Sequence, residues 1–417
     1  MLHAPYACDL TIDYTRTAES PMVHNATLST EADVSDPIYL DYNATTPVAP
    51  EVLEAMAPAL RDLWGNPSSA HIFGRRAAEA IDLARSEVAT LLGSHDDEIV
   101  FTSGGTESDN AAIIGTAEAQ ASRGRHLITS NIEHPAVEQA CRHMETRGWN
   151  VDRAPVASSG HVNAQTISEL IGDQTTLVTV MHANNETGVL QPIEEISKLA
   201  RARSILLHTD AAQSVGKIAV NVETLGVDLL TLAGHKLYAP KGVGALYVRR
   251  GTSLGSFLHG AGHEGGRRAG TESTAQIVGL GRACRLATEE LEERARRYRA
   301  LCLSLRDGLA AGLPEIIVHA EQSERLPNTL SLAIPGVDAA RLVEQLEGVA
   351  TAAGAACHAG VSEPSRVLLA MGIDTPTALA TLRLTVGRET TQPQIERAVA
   401  EICARSMAMI KRGNGGS

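Results

Sequence analysis

Along the chain, short apolar runs stop abruptly at clusters of polar residues, and stretches with helical spacing lie between them. Residues 98–102, 126–130, 176–181, 204–209 and 227–232 are rich in β-branched residues and leucine, and each reads as a buried strand. The polar residues at their ends are chemically able ones. Ser103-Gly104-Gly105-Thr106 follows the first run, Glu133-His134 the second, and His182-Ala183-Asn184-Asn185 the third. Asp210-Ala211-Ala212-Gln213 follows the fourth and His235-Lys236 the fifth. Residues 107–119 and 193–203 read as intervening helices. Strands alternating with helices predict a mostly parallel sheet flanked by helices, an α/β fold. Such sheets keep their ligands beyond the strand ends. Thr106, His134, Asn185, Asp210, Gln213, His235 and Lys236 would therefore gather at one end of the sheet.

On either side the pattern changes. Residues 1–37 carry no sustained period and read as a loosely ordered extension. Order begins at Ile38, and a helix is expected from Pro50 with Val52, Met56 and Leu60 on one face. Residues 74–92 read as an amphipathic helix with Ala78, Ile81, Ala84, Val88 and Leu91 inward. Residues 289–309 are a charged helix with Leu291, Ala295, Tyr298, Leu301 and Leu305 inward and its arginines on a solvated face. A strand is expected over residues 330–334, in a smaller α+β region. The division that results is a large domain over residues 54–291 and a small one made of 38–53 with 292–417.

Composition narrows the function. At 417 residues the chain exceeds one typical core. Aromatic residues are only 3%, so the core must be built from Ala, Val, Leu and Ile. The formal charge of −13 and the lack of a basic run with interleaved aromatics argue against nucleic-acid binding. No stretch is long and apolar enough for a membrane span, and no signal-peptide pattern is present. Cys8, Cys141, Cys284, Cys302, Cys357 and Cys403 lie far apart, without metal-ligand spacing. A reducing, cytoplasmic setting with no disulfide framework and no metal is expected.

Two of the strand ends are especially informative. Pyridoxal phosphate chemistry requires a lysine for the cofactor aldehyde and a carboxylate for its ring nitrogen, roles that Lys236 and Asp210 can fill. His134 is a candidate for the ring face, and Gly105, Thr106 and His235 for the phosphate. The Gly104-Gly105-Thr106 turn reads equally as an anion-binding helix start or as a plain one, with Thr106 and Asp109 as a capping box. Further on, the small-residue run Ala352-Ala353-Gly354-Ala355-Ala356-Cys357-His358 has two readings. Cys357 is either a small buried hydrophobe or the nucleophile of a mobile loop, its thiolate helped by His358.

The motifs Leu40-Asp41-Tyr42-Asn43-Ala44-Thr45-Thr46-Pro47, Thr102-Ser103-Gly104-Gly105-Thr106-Glu107-Ser108, Met181-His182-Ala183-Asn184-Asn185-Glu186-Thr187-Gly188 and Gly234-His235-Lys236 resemble those of cysteine desulfurases. These are fold-type I pyridoxal phosphate enzymes of the class V aminotransferase group, and the resemblance spans residues 38 to about 405. It implies that Lys236 is the Schiff-base lysine, Asp210 the ring-nitrogen partner and His134 the stacking ring and proton shuttle. Asn185 and Gln213 match residues around the cofactor hydroxyl, and Gly105, Thr106 and His235 match the phosphate site. Thr271, in the loop over residues 260–271, resembles a threonine that reaches the partner subunit's phosphate, which implies a homodimer. Cys357 occupies the persulfide-forming position, Arg383 matches the arginine that holds the substrate carboxylate, and Asn43 and Asn185 are implied beside the substrate.

The activity implied is conversion of L-cysteine to L-alanine. Sulfur would pass through Cys357 to a sulfur-acceptor protein, for iron–sulfur cluster assembly or thiolation. A selenocysteine lyase is the alternative, since that family shares the Ala-Cys-His run. A retired homologue acting as a scaffolding subunit is more distant, because Lys236, Asp210, His134, Arg383 and Cys357 are all in place. There are departures. Ala233 stands where a phosphate-contacting serine is common, Gly265 replaces an arginine of the interface loop, and a longer C-terminal arm is absent.

Overall fold

A computed structural model describes residues 37–313, 315–354, 356–358 and 361–414; the extension expected over residues 1–37 lies, but for Pro37, outside the described residues. The chain enters through a short strand, β1 (Ile38–Tyr39). The central sheet follows: β2 (Ile99–Thr102), β3 (His126–Ser130), β4 (Asn150–Ala154), β5 (Thr175–Thr179), β6 (Leu206–Asp210), β7 (Leu229–Ala233) and β8 (Gly244–Val248). Their spatial order is β2-β8-β7-β6-β5-β3-β4. All neighbours are parallel except β8, which runs against both β2 and β7.

β2, β3, β5, β7 and β8 are buried along their whole length, as strands covered by helices on both faces must be. Alternate residues serve opposite faces. Ile128, Val178, Leu207 and Leu230 enter one apolar cluster, while Leu127, Leu177 and Leu229 enter another. From β3 the chain steps outward to β4, then returns to β5 and proceeds the other way to β6 and β7. The reversal lies between β3 and β5, and the loops leaving those two strands carry His134 and Asn185. A crevice at such a reversal is where sheets of this kind hold ligands.

A second, four-stranded sheet has the order β12-β15-β10-β9, from β9 (Ile317–Val318), β10 (Thr329–Ala333), β12 (Ala352–Ala353) and β15 (Thr381–Thr385). β1 pairs in parallel with β11 (Val349–Ala350), so the first described residues join a late part of the chain. A hairpin of β13 (Ala356–His358) and β14 (Val361–Glu363) sets Cys357 opposite Ser362. Leu330, Leu332, Leu382 and Leu384 share a third apolar cluster with Leu301, Leu305 and Ile395.

Three expectations are corrected. The charged helix begins not near residue 289 but at Thr274 and runs 39 residues to Gly312, because Ile277, Leu280 and Ala283 carry its apolar face into the first cluster. Arg294, taken for a solvated arginine, is only 5% exposed. Its Nε donates to Glu290 (2.8 Å), and its guanidinium lies 5.6 Å from the Tyr238 ring centroid. In the helix Pro50–Asp62, Leu60 is 68% exposed, and Val52 and Ala59 are the residues turned inward. Among the described residues no helix is long and apolar enough to cross a membrane.

Candidate active site

β7 ends at Ala233, where the chain tightens into the single 3-10 turn Gly234–Lys236. The Lys236 amine donates to Asn43 O (2.6 Å) and Ala44 O (2.7 Å). Burial brings its pKa down to about 8, with the Arg383 guanidinium acting the same way and Asp210 and Asp41 opposing. An appreciable fraction of the amine is then free near neutral pH, as a nucleophile or base requires.

One strand over, Asp210 closes β6, and its Oδ1 accepts from the Ala212 N–H at 2.9 Å. Burial pushes its carboxyl up, against the pull of that N–H, His134 and Lys236. A cationic ring nitrogen beside it would favour the ionised form. His134 is the N-cap of the helix Pro135–Thr146; its Nδ1 accepts from the Ala136 N–H at 3.2 Å. In the neutral ring the proton therefore sits on Nε2. Burial lowers its pKa, Asp210 opposing and Lys236 assisting.

The loop after β2 departs from the sequence reading in a useful way. The helix begins at Gly105, two residues earlier than expected, and passes through a π segment over Ala111–Gly115. Gly104 precedes it at φ 147°, with open space where a Cβ would stand. No side chain caps this start, so the capping box of Thr106 and Asp109 is not formed. That leaves the N–H groups of this helix start without a side-chain cap, as binding of an anion there would require. Glu107, whose charge would repel a phosphate, is paired with Arg268 (Nε to Oε1 2.9 Å) and bound by the Ser103 N–H at 2.8 Å.

Gly105, Thr106, His134, Asn185, Asp210, Gln213, His235 and Lys236 all line one cavity of about 310 Å³. Asn185 also borders a neighbouring cavity of about 740 Å³, which Arg383 and the segment Glu363-Pro364-Ser365 help to line. His235 sits with Nδ1 3.1 Å from Thr45 Oγ1, and burial, with the nearby lysines, brings it down to about 4. Thr271 is not brought into this group; it lines a separate cavity of about 140 Å³ with Ser103, Gly242 and Arg268. Cys357 is placed by its backbone in β13, and its side chain, like that of His358, lies outside the described residues.

Asn43 is behind the wall rather than in it. Its Nδ2 donates to Asn185 O (3.2 Å) and Thr329 Oγ1 (2.9 Å), and its Oδ1 accepts from Lys217 Nζ (2.9 Å) and Asn328 Nδ2 (3.0 Å). Its carbonyl receives Gln213 Nε2 (3.0 Å) in addition to Lys236. Sequence reasoning missed four groups here. Lys217 is buried, and its amine also donates to Gln213 Oε1 at 2.9 Å. Asp109 is buried, its Oδ1 without a hydrogen bond and 3.7 Å from His208 Nε2, and burial, with Asp210, holds its carboxyl well above the usual range. Glu133, bound by Ser130 and the Met181 N–H, is pushed up to about 8 by burial. Asp41 meets Arg383 Nη2 at 2.6 Å. Lys217, in a turn segment four residues beyond Gln213, carried no signal that set it apart.

Comparison with known proteins gives a consistent picture. Residues 38–398 match the model of the family described as aminotransferase class-V. The chain is 44% identical over 364 residues to a cysteine desulfurase of Nostoc sp. (strain PCC 7120), covering 87% of this chain and 91% of that one. It is 45% identical over 368 residues to the cysteine desulfurase IscS of Aeromonas hydrophila, with coverage of 87% and 91%. Among solved structures, one titled a NifS-like protein superposes with a TM-score of 0.83 at 35% identity, covering 88% of this chain and 98% of that one.

Proposed function

The chain belongs to the class-V aminotransferase family and is a cysteine desulfurase; from that premise we propose how its residues divide the conversion of L-cysteine to L-alanine and a protein-held sulfur. The family generally uses pyridoxal phosphate, and the cavity suits it: a lysine amine, a buried carboxyl, an imidazole and an uncapped helix start meet in about 310 Å³. When bound, the cofactor supplies an aldehyde carbon for amines and a ring that draws electrons from the substrate's α-carbon. Lys236 would hold the aldehyde end, Asp210 the ring nitrogen and His134 the ring face. Gln213 and Asn185 would hold the ring hydroxyl, and Gly105, Thr106 and His235 the phosphate. Ala233 adds no hydroxyl to that phosphate site.

Arg383 fixes the substrate carboxylate, with Asn185 beside it. Lys236, unprotonated, takes the α-proton. The Cys357 thiolate attacks the substrate sulfur, forming an S–S bond as the C–S bond breaks, and the electron pair of that bond stays with the carbon skeleton, which leaves protonated as alanine. His134, neutral in its surroundings, can carry a proton between these groups. Asn43 acts through others by holding Lys236, Gln213 and Asn185.

The reading extends to partners: a second copy of the chain, and a protein that accepts the sulfur. Thr271 lies apart from the cavity of its own chain, as a residue serving a second copy would. We place the enzyme in the cytoplasm, in keeping with the free Cys141, Cys284, Cys302 and Cys403. Residues 54–291 are read as the cofactor domain and 38–53 with 292–417 as the smaller one. The third apolar cluster supports this, although Tyr42 and Val52 pack into the first.

One observation carries the proposal: Lys236 and Asp210, at the ends of adjacent strands, open into one cavity with His134. The protein given cysteine without acceptor should gain the mass of one sulfur on Cys357, labile to reductant. Cys357→Ala should release no alanine from cysteine while keeping activity on selenocysteine, whose weaker carbon–selenium bond needs no thiol. Borohydride followed by peptide mapping should find the cofactor mass on Lys236. Alanine release at the wild-type rate by Cys357→Ala, or label on another lysine, overturns the assignment.

A further inference from the structure

The guanidinium read as the clamp for the substrate carboxylate is already engaged by a carboxylate of the chain itself. Arg383 Nη2 donates to Asp41 Oδ1 at 2.6 Å. Nη1 reaches only Asn185 O, at 3.3 Å, and the buried Nε has no partner. A guanidinium grips a carboxylate at two points along either its Nε–Nη2 edge or its Nη1–Nη2 edge. Nη2 belongs to both. A carboxylate entering from the cavity of about 740 Å³ that Arg383 borders must therefore share Nη2 with Asp41 or displace it.

Asp41 is held in place to contest that position. Its carbonyl accepts from the Tyr39 hydroxyl (2.9 Å) and from the Ala44 N–H (3.0 Å), and its backbone is bridged to Thr385, two residues beyond Arg383. The Arg383 and Asp41 side chains are 13% and 22% exposed, so water screens the contest poorly.

We propose that Asp41 is an internal competitor for the substrate carboxylate. It neutralises Arg383 in the empty site, weakens the grip on any carboxylate that enters, and retakes Nη2 as product leaves. L-Cysteine and L-alanine carry the same carboxylate, so Asp41 lowers affinity for both. Weaker uniform binding of substrate and product opens the site sooner after each cycle. A carboxylate with no other contact to offer gains too little to displace Asp41, which sharpens selection for amino acids that engage the rest of the site. This rests on the reading of Arg383 as the clamp. A positioning role, with Asp41 merely aiming the guanidinium, predicts the opposite sign.

Asp41→Asn removes the charge while keeping the shape and an acceptor oxygen. In the holoenzyme it should lower KM for L-cysteine, and the Kd of L-alanine measured by calorimetry, each by about five- to tenfold. Asp41→Glu should restore values near wild type. Tighter alanine binding is an outcome that damage to the fold would not produce. Unchanged or weaker alanine binding in Asp41→Asn overturns the proposal; should that variant not fold, Asp41→Ser is read by the same criterion. Arg383→Lys tests the underlying reading separately. If it leaves both constants unchanged, the clamp itself is wrong; if it raises both while Asp41→Asn also raises them, the clamp stands and the competitor is wrong.

Discussion

At the scale of single residues, the site rests on one buried amide and one buried amine. Lys217 gives its hydrogens to two amide oxygens, Asn43 Oδ1 and Gln213 Oε1. Burial first, then Lys236 and Arg383, hold its pKa well below the ordinary 10.5. Between that lowered value and pH 10.5 the unfolded chain binds a proton there that the folded chain does not. The group's contribution is therefore whole above 10.5 and declines as pH falls toward the folded value. Lys217→Met should flatten the rise of unfolding free energy as pH climbs toward 10.5, by at most about 1.4 kcal/mol per pH unit. Denaturant titrations at several pH values check this, and a slope equal to wild type would mean that Lys217 stays charged in the fold. Lys236 and Asp210 were legible in the sequence because each follows an apolar run, where polar residues stand out. Lys217 was not, since a lysine in a turn segment looks like any solvated one. Asp41 sat in plain view within a quoted motif, but nothing in one sequence joins it to an arginine 342 positions away.

At the scale of elements, five strands of the central sheet were legible to within two or three residues, because apolar runs bounded by turn residues leave few alternatives, whereas β4 and β8 were not read. Helix limits were less so. The 39-residue helix was read only in its charged half, since its first turns are small and apolar and carry no obvious period. The start at Gly105 was hidden for another reason: it depends on how closely β8 approaches. A Cβ on Gly244 would stand 2.6 Å from Leu232 O and 2.8 Å from Gly104 Cα, backbone on both sides. Gly244→Ala should then push the Gly104 turn away from the sheet, destabilising the fold by about 1–3 kcal/mol. It should also weaken cofactor retention, followed as loss of bound pyridoxal phosphate on dilution. Full retention with unchanged stability would show that the turn has room to move.

At the scale of the whole molecule, the surface carries an apolar group left exposed among the described residues. Trp64 is 68% exposed and stacks on the exposed Phe73 with centroids 4.9 Å apart, and the exposed Leu60 lies four residues before it. The second copy proposed above is expected to cover this group. Trp64→Glu should weaken self-association by roughly 2–4 kcal/mol, as for a buried aromatic anchor, shifting sedimentation toward the monomer; an unchanged sedimentation profile would place the interface elsewhere. One further consequence concerns time rather than energy. The carbonyls of Asn43 and Ala44 that hold the Lys236 amine belong to a segment whose strand partner is β11, and Asp41 of the same segment awaits Arg383, 342 residues later. At about 5–20 residues per second, that interval is roughly 20–70 s of synthesis. The central sheet can form on the ribosome with Asn43 already held by Gln213 and Lys217, while Asp41 waits for its arginine until the last strand has emerged.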